Sequence, residues 1–317
     1  MTSEAAATRS ARHDSSQPSP SVALGMSLAF GSALFYAANT PLAKLGSLHG
    51  LPAQHLGLYR AAMLLAVVAI IMRMRGRMLV PPAGTRKLVF VLGAGSSCVA
   101  LGYLGAVNFI PVGLAAIIFY TYPLAIMLLA PVIDGTRLST SRIGLAVLAF
   151  TGLAIAIGPG FTTLHWQGLA LAGLASAGCT AMFFSGARLA ARGLDTLAIT
   201  VGAQTVSVSI MLVVLLLISK PFALPTQPIA WGILAGVAVI YSGAYLLNLR
   251  AVAAAPPAKI GIVYYVEPVL SALIAALLLA ERLAVSQYVG GIIVIAALVW
   301  AGLLERRAAR MGPERRA

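Results

Sequence analysis

One carboxylic acid, Glu267, lies inside a long apolar run at residues 263–283, directly before Pro268. A carboxyl group in such a run can bind a cation, exchange a proton or act as a general base, and it is costly to expose to lipid. Removal from water disfavours its charged form, so the acid could release and take up a proton during a functional cycle. The alternative is a structural acid that hydrogen-bonds neighbouring helices and fixes their packing.

A second ionisable side chain, Arg60, also falls inside an apolar run. Counted along the helical rise, Arg60 and Glu267 would differ in depth by roughly 6 Å, a distance that a guanidinium side chain can span. An ion pair between them would keep the acid charged and argue against proton transport. The alternative for Arg60 is that its head group extends outward to the lipid head groups.

Tyrosines and amides accompany the two charged groups. The tyrosines lie at least about 10 Å from the ends of their runs, which is too deep for an interfacial belt, so their hydroxyls need partners. An amphipathic solute in a central cavity would supply such partners; neighbouring backbone carbonyls are the alternative. The candidate residues are Tyr36, Tyr120, Tyr122, Tyr241, Tyr264, Tyr265, Asn39 and Gln204.

Two prolines, Pro123 and Pro268, are expected to interrupt their helices at similar depth, because proline lacks a backbone donor and clashes with the preceding turn. For Pro268 we expect a bend that frees a carbonyl near Tyr264. Interrupted helices at corresponding positions of two halves indicate a binding site between repeats. An ordinary proline kink, which is common in membrane helices, is the alternative.

These residues must be positioned by apolar runs of about twenty residues, each long enough to cross a hydrocarbon core of about 30 Å as a helix. The chain of 317 residues is 60% hydrophobic and 9% charged, which is typical of an integral membrane protein. The runs do not alternate as in a β-barrel. We therefore predict an all-α membrane protein with ten transmembrane helices, at residues 22–43, 54–73, 88–107, 112–133, 141–158, 166–187, 196–218, 230–249, 257–280 and 284–304.

The formal charge of +14 raises the question of nucleic-acid binding, which the location of the basic residues answers. With the N-terminus inside, 18 of the 22 Lys and Arg residues fall in the tails and loops of one side. This asymmetry is the positive-inside pattern of cytoplasmic loops. We therefore predict a multi-pass protein of the bacterial inner (plasma) membrane with both termini in the cytoplasm, and no nucleic-acid partner.

The chain also contains an internal repeat. The stretch "YLGAVNFIPVGLAAIIFYTYPLAIMLLA" from Tyr103 parallels "YLLNLRAVAAAPPAKIGIVYYVEPVLSALIAALLLA" from Tyr245, with Pro123 matching Pro268. Five spans per copy is an odd number, so the second copy should cross the membrane in the opposite sense. We predict a disordered cytoplasmic tail at 1–21, a first repeat at 22–158, a second repeat at 166–304 and a basic cytoplasmic tail at 305–317.

The two repeats, with "EPVLSALIAALLLAERL" in the ninth span and "IPVGLAAIIFYTYPLAIMLLA" in the fourth, resemble the EamA branch of the drug/metabolite transporter (DMT) superfamily. The most specific element is the Glu-Pro pair followed fourteen residues later by Glu-Arg-Leu. Where family members often carry glutamate, the first copy has Thr136. The resemblance implies transport of small organic solutes, often export of amino acids or other metabolites, in some members coupled to protons.

We therefore predict a secondary or facilitative transporter of small organic solutes that works by alternating access. The expected partners are the solute, the lipid bilayer, protons where transport is coupled to them, and a second copy of the chain in a homodimer. Neither a cofactor nor a metal site is expected. The alternative is an intramembrane enzyme that uses Glu267 as a general base on a lipid-linked substrate, although the sequence shows no supporting cluster of acids or histidines.

Overall fold

The computed structural model describes residues 22–77, 80–135, 139–158, 165–218, 224–278 and 284–310, and this part of the chain is helical, without strands. The predicted N-terminal tail at 1–21, the Glu-Arg-Leu sequence at 281–283 and the last residues of the predicted C-terminal tail, 311–317, lie outside the described residues. Helices are expected of such apolar segments, because a bilayer offers no water to backbone polar groups and a helix satisfies them internally.

Twelve α-helices and two short 3-10 segments, Ala83–Thr85 and Gly261–Tyr265, are found in the described ranges. The helices are α1 (Val22–Leu48), α2 (Ala53–Met74), α3 (Arg86–Ala106), α4 (Val112–Phe119), α5 (Tyr122–Asp134), α6 (Thr140–Ile157), α7 (Trp166–Ala191), α8 (Thr196–Ile218), α9 (Pro228–Ala254), α10 (Pro257–Ile260), α11 (Val266–Leu278) and α12 (Val285–Arg310).

Within the described residues, nine helical segments are long and apolar enough to cross a membrane. They correspond to the first nine predicted spans, with α4 and α5 forming one segment and α10 to α11 another. The tenth predicted span falls on α12, whose apolar part, Val285–Ala301, is shorter than the other nine. The chain is therefore a helical membrane protein with many spans, and the tenth span stays a prediction.

The fourth and ninth spans are broken, and the breaks come before the prolines. In the fourth, α4 ends at Phe119 and α5 begins at Tyr122, so Pro123 is the second residue of α5. In the ninth, a 3-10 segment precedes α11, and Pro268 is the third residue of that helix. A missing N–H is tolerated in the first turn, where backbone donors have no partner within the helix. The prolines thus begin new helices rather than bend continuous ones.

The two halves of the chain interlock through exchanged helix contacts. Helix α3 packs mainly against α7 and α8 of the other half, and its counterpart α9 packs mainly against α1 and α2. Helices α2 and α8 also contact each other, as do α6 and α12. These principal contacts of one half are therefore repeated with the halves swapped.

Glycines permit the closest crossings between these helices. A Cβ atom added at Gly95 of α3 would lie 2.5 Å from the Gly178 oxygen of α7. At the crossing of α6 with α12, a Cβ atom on Gly290 would lie 2.3 Å from the Gly152 oxygen. Small residues are the usual means of close backbone approach in membrane proteins, because helix association there depends on packing.

We predict opposite effects for two Gly→Ala substitutions in helices. Gly290→Ala should lower the melting temperature in detergent, because the new methyl group would overlap the backbone of α6. Gly173→Ala in α7 meets no atom within 4 Å, so it should leave stability unchanged or raise it by up to about 1 kcal/mol through helix propensity. Equal melting temperatures for the two variants would contradict the close crossing.

Candidate functional site

The acid of the ninth span lies beside the break in the fourth span. Glu267 lies in the first turn of α11 and keeps part of its surface accessible. The hydroxyl of Tyr120, the residue that follows α4, lies within hydrogen-bonding reach of its carboxyl group. Because negative charge is favoured at a helix N-terminus, the start of α11 is also a suitable place for a carboxylate. One interrupted helix from each half therefore meets the other at this contact.

Aromatic rings form a continuous layer beside the acid. The chain of contacts runs from Tyr103 on α3 through Phe119 and Tyr122 to Phe183 on α7 and Tyr264 in the 3-10 segment. Centroid distances in this chain are 5.3 Å for Tyr103–Phe119, 5.3 Å for Phe119–Tyr122, 5.7 Å for Tyr122–Phe183 and 5.3 Å for Phe183–Tyr264. These spacings are typical of favourable tilted and edge-to-face ring pairs.

Arg60 is held inward by Asn39 of its own half and by Tyr241 of the other half. Its guanidinium donates a hydrogen bond to Asn39 Oδ1, and its Cζ atom lies 4.4 Å from the centroid of the Tyr241 ring. Asn39 in turn donates from Nδ2 to the Val237 carbonyl at 3.0 Å. Gln204 Nε2 donates to the Tyr241 hydroxyl at 3.3 Å. The arrangement combines a cation–π contact with a hydrogen-bonded network that spans α1, α2, α8 and α9.

Tyr36 lies between the Arg60 network and the acid. Its ring meets Tyr241 edge-on at a centroid distance of 6.2 Å, and the residue also interacts electrostatically with Tyr264 and Glu267. Arg60 is within electrostatic range of Glu267 as well, although its hydrogen bond goes to Asn39. The structure therefore places both charged groups in one polar cluster.

A second amide network supports Tyr264. Asn248 Nδ2 donates to the Tyr264 hydroxyl at 2.8 Å, and Ser32 also contacts that hydroxyl. Ser32 donates from Oγ to the Ala244 carbonyl at 2.8 Å. The 3-10 segment that precedes Glu267 is therefore fixed to α1 and α9, which hold it in a defined orientation.

The structure brings together the candidate residues of the sequence with one exception. Tyr265 is fully buried and its ring packs on Phe150 of α6, at 6.3 Å between centroids. Sequence reasoning omitted Phe119, Phe183 and Cys179, the last of which interacts electrostatically with Glu267. Nothing in the pattern distinguishes these apolar residues from ordinary core residues. Tyr103, which the repeat pairs with Tyr245, was not selected either.

The side chains that surround the acid are not completely sealed. Tyr36, Arg60, Tyr103, Phe119 and Glu267 are each partly accessible, although they belong to five elements that face one another. Gln204 is fully buried, and its Oε1 atom has no hydrogen-bond partner within the described ranges. The cluster offers an acid, a guanidinium, an amide acceptor and ring faces, which together suit a small organic molecule.

In the part of the chain that the structure describes, there is no group of three or more His, Cys, Asp and Glu residues that could hold a metal ion.

Comparison with known proteins identifies the family. The model of the EamA-like transporter family matches residues 23–158 and 167–303, that is, both repeats. This chain belongs to the EamA-like transporter family. The family is part of the DMT superfamily, so transport is supported for a chain with two EamA repeats.

The solved structures give the same fold. One of 29 matching chains, titled "Crystal structure of protein", has a TM-score of 0.75 at 18% sequence identity and covers 90% of this chain and 98% of its own length. At this identity the likeness shows the fold alone. The search of curated proteins found no match.

We predict that Asn39→Ala destabilises the protein, because it removes the hydrogen bond from α1 to the Val237 carbonyl of α9 and the hydrogen-bond acceptor of the Arg60 guanidinium. The expected loss is about 1–3 kcal/mol of unfolding free energy, measured by thermal or denaturant unfolding in detergent. Ser242→Ala is the matched control, since its hydroxyl bonds only the Ala238 carbonyl of its own helix. A loss for Asn39→Ala no larger than the control would argue against the network.

Proposed function

We propose that the chain is a secondary transporter that moves a small organic solute through a central hollow between two inverted repeats. The observation that carries the proposal is the approach of the Tyr120 hydroxyl to Glu267, which brings the two interrupted helices together at a partly accessible acid. Interrupted helices at the interface of repeats are the usual place for substrate and coupling-ion sites in such transporters.

Two features support the inverted arrangement. Each half carries five predicted spans, and an odd number reverses the orientation of the second half. The helix contacts are exchanged between the halves, α3 with α7 and α8, and α9 with α1 and α2, as a two-fold relation between repeats requires. Rocking of one half against the other would then open the hollow to each side of the membrane in turn.

The cluster suggests a role for each group. Glu267 would take up a proton or bind the solute, with Tyr120 orienting its carboxyl group. Arg60 would balance charge in the hollow, fixed by Asn39 and Tyr241. The other clustered candidates, Tyr36, Tyr122, Tyr264 and Gln204, would line the hollow. Tyr265 is a packing residue in this proposal, because its ring faces α6.

The proposal includes location and orientation. The excess of Lys and Arg on one side of the predicted spans favours cytoplasmic termini in a bacterial inner membrane. A homodimer stays a prediction. The family assignment favours transport over the intramembrane enzyme that uses Glu267 as a base.

We predict that Glu267→Gln abolishes proton coupling. A solute is first identified by its effect on the melting temperature of the purified protein, because a ligand of the folded state raises it. In proteoliposomes, one unit of pH gradient per coupled proton can drive about tenfold accumulation. The wild type should show this accumulation, whereas Glu267→Gln should equilibrate the solute without responding to the gradient.

The control for this substitution is Asp134→Asn, which removes an exposed carboxyl group at the end of α5 and should behave as the wild type. A protonophore added to the wild type should abolish the accumulation. Undiminished response of Glu267→Gln to the pH gradient would show that another group carries the proton.

A second prediction compares two Tyr→Phe substitutions. Tyr120→Phe keeps the ring but removes the hydroxyl that lies beside the Glu267 carboxyl group, so solute transport at low concentration should fall by roughly ten- to a hundredfold, as for loss of a hydrogen bond to a charged group. Tyr265→Phe removes a buried hydroxyl with no side-chain partner and should transport normally. The measurement is initial uptake in proteoliposomes, normalised to folded protein. Equal rates for the two variants would contradict the role of Tyr120.

A further inference from the structure

A separate cavity of about 370 Å³ lies between α4, α6, α11 and α12, outside the polar cluster. Small residues create the space, because they leave the facing helices without side chains to fill it. Leu153 of α6 is buried and lies at its wall. The small residues that line it are Gly113, Ala116, Ala156, Ala272 and Gly291.

The cavity reaches the outer surface of the helix bundle. Leu273 on α11 and Ile292 and Ile295 on α12 line it, and these side chains are 41%, 67% and 46% exposed. Helix α11 belongs to a segment that is apolar enough to cross the membrane, and these three residues of α11 and α12 are themselves apolar. At that depth the surroundings are lipid chains rather than water, so the opening faces hydrocarbon.

The polarity of the lining changes along α12. The first turn of that helix contributes Gln287 and Tyr288, whereas Gly291, Ile292 and Ile295 follow deeper along the helix. From residue 287 to residue 295 the helix rises about 12 Å, less than half of a hydrocarbon core of about 30 Å. Tyrosine at the end of a span is typical of the membrane interface. The cavity thus has a polar end at head-group level and an apolar part within one leaflet.

Water is a poor occupant of the deeper part. A buried water needs two to four polar partners, and the lining below Tyr288 consists of apolar side chains and glycine. Cavities of roughly 300–1,000 Å³ with apolar walls and a few polar groups are typical of ligand sites. The matching occupant in a membrane is an amphipathic molecule with an alkyl chain.

We propose that this cavity binds one acyl chain of a bilayer phospholipid, with the lipid head group beside Gln287 and Tyr288. The acyl chain packs against Pro268 and Val269, which directly follow Glu267, and against Gly113 and Ala116 of the helix that directly precedes Tyr120. A bound acyl chain therefore helps to hold the two interrupted helices apart. Given the proposed transport function, lipid occupancy would stabilise the arrangement of the site seen here.

The test uses the full chain in nanodiscs that contain phosphatidylethanolamine with a photoreactive diazirine in one acyl chain. After illumination, mass spectrometry of peptides from α11 and α12 measures labelling. Ala272→Leu places a larger side chain in the cavity. Overpacking should weaken binding of the acyl chain by about tenfold, so labelling should fall by about the same factor. Ala116→Leu fills the cavity from the opposite wall and provides a second variant if the first does not fold.

The matched control is Ala296→Leu, an exposed position of α12 that does not line the cavity, and it should be labelled as the wild type. Equal labelling of both cavity variants and the control would overturn the proposal. Loss of labelling on addition of a solute found by thermal shift would show that the solute's own apolar part occupies the cavity, and would also overturn it. Because the readout is labelling, failure here is distinguishable from failure of the transport proposal, which is measured by uptake.

Discussion

The arrangement of the helices depends on the free-energy cost of placing polar groups in the hydrocarbon core of the membrane. A carboxyl group and the backbone groups freed by two broken helices cannot face lipid, so they must be satisfied inside the protein. For Glu267, the hydroxyl of Tyr120 at the break after α4 meets part of this requirement. This single constraint determines which faces of the fourth and ninth spans point inward, and it brings together residues that are about 150 positions apart in the sequence.

The same constraint explains why the polar contacts cross between the halves. Asn39 bonds to α9, Arg60 lies over a ring of α9, and Thr121 and Ser176 approach to 2.9 Å between their hydroxyl oxygens. Backbone crossings at glycine bring the helices close enough for such short side chains to meet. Because these contacts join the two halves, any movement of one half against the other must change the geometry around Glu267.

Hydropathy and charge predicted much of this architecture, since lipid imposes a length and a composition on each span. The helix bounds lie within a few residues of expectation over most of the chain. The direction in which each side chain points could be predicted less well from the sequence. Tyr264 and Tyr265 are adjacent, yet the first joins the site and the second packs on α6. That division depends on the 3-10 geometry of Gly261–Tyr265, which has three residues per turn and is not encoded in the apolar pattern.

The sequence also could not predict the partner of Arg60. Its depth in the membrane is compatible with a carboxylate, the lipid head groups or an aromatic ring. The structure gives the guanidinium Asn39 and Tyr241, which hold it near Glu267 while its hydrogen bond goes to the amide. In a medium of low dielectric, opposite charges held in one cluster still lower each other's energy. An acid that is stabilised in this way, while the guanidinium bonds to Asn39, keeps its carboxyl oxygens available to a proton or a solute. A closed ion pair would have occupied them.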